Sequence, residues 1–96
     1  MDSSDQKFRE KGIVKGGIRF LKPADALAEI RESRDRRVGV LGIDGFYLTD
    51  EGTQPAMEHS IDLSGVKNDQ ERWALAEQFL AERLDARLYF EVVLDG

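Results

Sequence analysis

Apolar and polar residues alternate most regularly over Met57–Leu63. Met57, His59, Ile61 and Leu63 predict one face of a strand, with Glu58, Ser60 and Asp62 on the other. A second alternation runs over Leu88–Leu94. Leu88, Phe90, Val92 and Leu94 share one face, while Tyr89, Glu91, Val93 and then Asp95 share the opposite one. Between these two segments the period lengthens to that of a helix. Trp73, Ala76, Leu80 and Leu84 form a stripe widened by Phe79, and Glu77, Gln78 and Glu82 fall toward water. Asn68 followed by Glu71 has the spacing of a helix start.

The first half of the chain carries shorter signals. Pro23, with Asp25 behind it, opens a helix expected over 23–36, in which Leu27 and Ile30 stand with Ala24 and Ala28. Glu29, Glu32 and Arg36 lie opposite, and Arg34, Arg36 and Arg37 crowd the negative end of the dipole. Before this helix, Ile18 and Phe20 predict the buried face of a strand, with Arg19 outward. After it, Val38–Thr49 is rich in strand formers but punctuated by Gly39, Gly42 and Gly45, which predicts a bulge or bend. Asp50-Glu51-Gly52 reads as a turn. Pro55 has no N–H, so pairing on one side of the return strand is expected to begin after it.

The order β-α-β-β-α-β follows. It predicts an α+β two-layer sandwich of the ferredoxin-like type, a four-stranded antiparallel sheet with both helices on one face. Residues 1–12 are polar and aperiodic and are expected to form a flexible arm, with 13–96 as a single domain. Ala26-Leu27-Ala28-Glu29 recurs as Ala74-Leu75-Ala76-Glu77, but these are common helix formers and carry little weight as a repeat.

Composition narrows the chemistry. The 96 residues are 41% hydrophobic and 34% charged, enough apolar surface for one core. There is no cysteine, which excludes disulfides, thiolate metal sites and a cysteine nucleophile. The N-terminus is polar, and no apolar run approaches the ~20 residues that span a bilayer, so no membrane partner and a cytoplasmic location are expected.

The net charge of -5 is unevenly spread. Asp44, Asp50, Glu51, Glu58 and Asp62 all lie between Val38 and Val66, a stretch with no Lys or Arg. Nucleic-acid binding requires concentrated positive charge, and only the first 22 residues lean that way, so a nucleic-acid partner is not expected.

Candidate catalytic chemistry centres on His59, the single histidine, with Asp44 as a possible proton-handling partner. Its register with Met57 and Ile61 favours a packed side chain instead. No phosphate loop is expected, because Gly39, Gly42 and Gly45 lead into a hairpin and not into a helix N-terminus. No hydrolase elbow surrounds Ser33, Ser60 or Ser64. The acidic residues of the hairpin lack the spacing of a calcium loop, and neither metal nor cofactor is expected.

The uncovered sheet face is the stronger candidate. It is expected to present Asp44, Glu58, Asp62, Tyr89 and Glu91, joined by Tyr47 or Phe46 according to where the glycine bulge falls. Carboxylates around an aromatic suit a basic protein surface. The leading expectation is a non-catalytic binding or regulatory module, analogous in size and charge to small antidote or immunity proteins that neutralise a cationic toxin. A small enzyme using His59 with Asp44 is one alternative. A homodimer joined through an edge strand or the open face is the other.

Overall fold

The computed structural model describes residues 13–15, 17–85 and 87–95. The arm expected over residues 1–12 lies outside them. In chain order the elements are β1 (Ile13–Lys15), β2 (Ile18–Phe20), α1 (Pro23–Asp35), β3 (Val40–Thr49), β4 (Gly52–Asp62), α2 (Asp69–Ala81) and β5 (Leu88–Leu94). The described residues form an α+β arrangement of two helices and a three-stranded antiparallel sheet in the order β4-β3-β5, with a separate two-stranded hairpin.

Both helices start where local chemistry dictates. Pro23 occupies the first turn of α1, where its missing N–H costs nothing, and Asp25 meets the positive dipole end. Asn68 caps α2, its Oδ1 accepting hydrogen bonds from the backbone N–H groups of Gln70 at 2.8 Å and Glu71 at 3.3 Å. The end of α1 is closed by a left-handed residue. Arg37 has φ 59°, and Val38 N donates back to Ser33 O at 2.8 Å. That is the Schellman arrangement, with arginine where glycine is usual. Beyond it the indole Nε1 of Trp73 donates to Val38 O at 2.8 Å, tying α2 to the entry of β3.

One apolar cluster holds these parts together. Ala26 and Ile30 of α1, and Trp73, Ala76, Phe79 and Leu80 of α2, pack with Val40, Ile43, Ala56, Leu63, Leu88 and Phe90 from the sheet side. The helices also pack on each other, α1 against β5 and α2 against β3. Burial of this set is the main stabilising term, at roughly 1.5–3 kcal/mol for each large side chain.

The four-stranded ferredoxin-like sheet expected from the sequence appears as three paired strands. The strand expected at its start, β2, pairs instead with β1 in a hairpin that the sequence pattern did not suggest. Gly17, with φ 81°, lies in the turn between them. The hairpin meets the sheet through a single bridge, in which Leu21 and Phe90 exchange N–H···O bonds of 2.8 Å each way.

That bridge also sets the phase of β2, which is opposite to expectation. Leu21 is fully buried beside Phe90, so Phe20 points to the other side of the layer, where its ring meets Phe46 edge-on at 4.9 Å. Arg19 turns back toward the helices and forms an ion pair with the buried Glu29 of α1. A buried carboxylate needs such a partner, and this need outweighs the usual outward preference of arginine.

On β4 two further expectations are corrected. On the side facing β3, pairing does not wait for the residue after Pro55. It begins at the turn, with Gly52 opposite Thr49 and Pro55 itself opposite Phe46. The regular alternation from Met57 is also broken. From Ile43 to Gly45 β3 advances two residues, while β4 takes five, from Ile61 back to Ala56. The surplus is a bulge over 57–60, and it moves Met57 from an expected core position to 76% exposure.

Candidate functional site

The bulge is built on a glycine and a serine. Ser60 Oγ accepts a hydrogen bond from Gly45 N at 3.0 Å and donates one to Ala56 O at 3.0 Å, bridging the gap in the ladder. Gly45 admits this close approach only because it has no side chain. A Cβ there would sit 2.2 Å from His59 O. The glycine punctuation of β3 thus has a physical cause at this position, a backbone crossing the strand within contact distance.

Register around the bulge decides which side chains share a face. On β3, Ile43, Gly45 and Tyr47 stand opposite Val92, Phe90 and Leu88, the core side of β5. The intervening residues face the other way: Gly42 opposite Val93, Asp44 opposite Glu91, and Phe46 opposite Tyr89. Of the two adjacent aromatics, Phe46 therefore takes the face opposite the core cluster, and Tyr47 packs against the core.

The sheet face opposite the core cluster has two halves. At one end Phe20, itself buried, meets Phe46 edge-on beside Tyr89. At the other lies a shallow groove of about 530 Å³, lined by Leu41, Asp44, Met57, Ile61, Asp62 and Val93. Among the candidates read from the sequence, Asp44 and Asp62 meet in this groove, and Tyr89 and Glu91 share its sheet face. Glu58 lies exposed within the bulge, and Tyr47 is on the far side. Leu41 and Met57 were missed as parts of this surface, and of the pair Phe46 and Tyr47 it is Phe46 that joins it.

The electrostatics of the groove are one-sided. Glu91, directly across from Asp44, has its carboxyl pushed above the usual range, first by burial and then by the neighbouring Asp44 charge. Asp62 is held below its usual range by the Ser64 hydroxyl at 2.6 Å and the Ser64 backbone N–H at 2.9 Å. Among the described residues, neither Asp44 nor Glu91 nor Asp62 forms an ion pair. The arginines elsewhere do: Arg34 with Glu77 at 2.6 Å, Arg72 with Asp69 at 3.3 Å, and Arg87 with Asp85 at 2.8 Å.

His59 stands apart from Asp44. Its Cβ lies against the core-facing side of Gly45, whereas Asp44 points to the opposite side of β3. The imidazole meets Tyr47 edge-on at 6.3 Å between centroids. Its Nδ1 is enclosed, with no hydrogen-bond partner among the described residues. At the β5 entry turn, hydrogen bonds from the Arg87 side chain and backbone hold Asp85 down to about 2, with His59 adding a smaller electrostatic effect. A proton-handling histidine needs a group that orients its ring, and this arrangement supplies a packing contact instead.

A second cleft, of about 630 Å³, lies between the end of α1 and the start of α2. Arg34 and Arg37 line it together with Asp69, so its charges oppose one another. Asn68 already occupies the helix N–H groups there. Among the described residues no group of three metal-ligating side chains comes together, and no helix is long and apolar enough to cross a membrane. No protein-family model matches the chain, and no curated protein matches it.

Proposed function

We propose that the chain is a non-catalytic binding or regulatory module whose uncovered sheet face engages a basic protein partner. The observation that carries this reading is the pair Asp44 and Glu91, which face each other across β3 and β5 with no ion-pair partner among the described residues. Like charges held directly opposite are destabilising in the isolated protein. A cationic partner relieves that repulsion, so the strain of the free state becomes part of the affinity of the complex. Asp62 extends the negative surface along the groove, and the apolar side chains of Leu41, Met57 and Val93 supply contact area between the charges.

The reading treats the molecule as a two-layer sandwich, with both helices on one side and Ile18–Leu21 as a short fourth strand beside β5. Its supports are the single core cluster shared by both helices and the reciprocal Leu21–Phe90 bonds.

The test is a charge reversal, Asp44→Lys with Asp62→Lys. Both side chains are exposed and Asp44→Lys removes the repulsion with Glu91, so the midpoint of thermal unfolding is kept or slightly raised. Affinity capture from the host with the wild-type chain retains a partner whose association weakens as salt is raised, and the double variant fails to retain it. Equal capture by both proteins removes the proposal.

A further inference from the structure

Resting on that reading, we infer that the groove accepts an arginine side chain of the partner, with Met57 as the apolar platform on which its stem lies. Single exposed apolar residues are ordinary on protein surfaces and need no explanation. Met57 differs in how it comes to be exposed. By alternation it belongs with Ile61 and Leu63 on the core side, and it reaches 76% exposure because the bulge over 57–60 turns it out. That bulge is fixed by two Ser60 hydrogen bonds and by the absence of a side chain at Gly45. Bulges of this kind re-aim a side chain, and here the re-aimed side chain lines the groove that also holds Asp44 and Asp62.

The chemistry of the lining selects the occupant. Leu41, Met57 and Val93 offer apolar surface, while the two carboxylates come from different strands, β3 and β4. A cation suited to this must lay an apolar stem along the groove and present several donors to separate acceptors. The guanidinium does both: it is planar, weakly hydrated and carries five N–H donors in a fixed fork. The lysine ammonium is compact and strongly hydrated, and gives up more on leaving water for a partly apolar groove. The methionine thioether is flexible and polarisable, so it can settle against a flat guanidinium or its methylenes. Arginine is also the cation most enriched among the anchors that dominate interface energetics.

The experiment follows the methyl signal of Met57 in the full chain, which has only one other methionine, Met1. The probes are N-acetyl-arginine methylamide and N-acetyl-lysine methylamide, titrated at matched ionic strength. The arginine probe shifts the Met57 methyl and the Val93 amide along a saturating curve, and the lysine probe shifts them less. Asp44→Asn with Asp62→Asn abolishes the response. An unmoved Met57 methyl, or equal responses to the two probes, overturns the inference.

A second arm separates this inference from the reading beneath it. Met57→Gln is a surface substitution, with folding checked by thermal melt, and it weakens binding of the captured partner about tenfold, as expected of a single interface anchor. If Met57→Gln binds as the wild type does while Asp44→Lys/Asp62→Lys does not bind, the arginine groove falls and the acidic docking face stands. If both variants bind normally, both fall.

Discussion

Asp44 on β3 and Glu91 on β5 stand directly across the ladder from one another, two carboxylates on the sheet face opposite the core cluster. Side chains so placed lie within about 4.5–5.5 Å at their Cβ atoms, close enough for each to feel the other's charge. The proton affinity of Glu91 is raised first by partial burial and then by the Asp44 charge.

Removing one of these charges stabilises the free protein. At pH 7, Glu91→Gln raises the unfolding free energy by roughly 0.2–1 kcal/mol, the size of a cross-strand pair. The sign follows from linkage. Folded Glu91 holds its proton above the ordinary value of 4.5, so between that pH and its raised folded value the native state binds more protons than the unfolded one. Its contribution to stability therefore falls as pH rises through that window, and the advantage of the variant shrinks as pH drops below it. Urea unfolding at pH 7 and pH 4 measures the difference. A larger advantage at pH 4 contradicts the assignment. Asp44→Asn adds little once Glu91→Gln is present, because either change removes the same repulsion.

The bulge on β4 is tested at the two residues that hold it. Gly45→Ala places a Cβ within 2.2 Å of His59 O, which backbone movement alone can relieve, at a cost of about 1–3 kcal/mol or more. Ser60→Ala leaves the Gly45 N–H without its acceptor and costs about 1–3 kcal/mol. Hydrogen exchange at the Gly45 amide accelerates in the serine variant well before the core amides respond. Unchanged protection at Gly45 shows that Ser60 does not close the bulge.

A third prediction concerns Arg37. Its left-handed backbone costs a residue with a Cβ about 1 kcal/mol, a penalty glycine escapes. Arg37→Gly raises stability by about that amount, less the extra freedom glycine gains in the unfolded chain. Arg37→Ala keeps the Cβ and gives no comparable gain. Thermal melts of the three proteins side by side decide it, and equal midpoints for the glycine and alanine variants refute the assignment.

How much of this was legible beforehand depended on the length and regularity of each element. Helix α2 was readable because Trp73, Ala76, Phe79 and Leu80 repeat at helical spacing behind a capping asparagine, and all four are buried. Leu84 was assigned to the same stripe, but the helix ends at Ala81 and Leu84 is 61% exposed. Strand β5 kept strict alternation, so Glu91 and Tyr89 were placed on their proper face.

Strands β2 and β4 were harder for different reasons. Three residues of β2 establish that Ile18 and Phe20 share a side, but not which side. The deciding information was the buried Glu29, nine residues beyond Phe20 at the end of the strand, which draws Arg19 inward. On β4 the period was clear and still misleading, because a bulge changes the face of every residue on one side of it. Gly39, Gly42 and Gly45 announced an irregularity without saying which strand would carry the extra residues. Phe46 and Tyr47 were undecided for the same reason. The acidic half of the candidate surface was therefore readable from composition, and its apolar half, above all Met57, was not.

The bulge has one more consequence, for β4 as the outer strand of the sheet. A row of unpaired backbone groups along such a border invites another chain to lie down beside it and to be followed by a third. Here an incoming strand meets Pro55, which has no amide hydrogen to give, and a few residues later a stretch whose spacing no straight strand can follow. The contour that turns Met57 toward solvent thus also breaks the border into pieces too short to template a fibre.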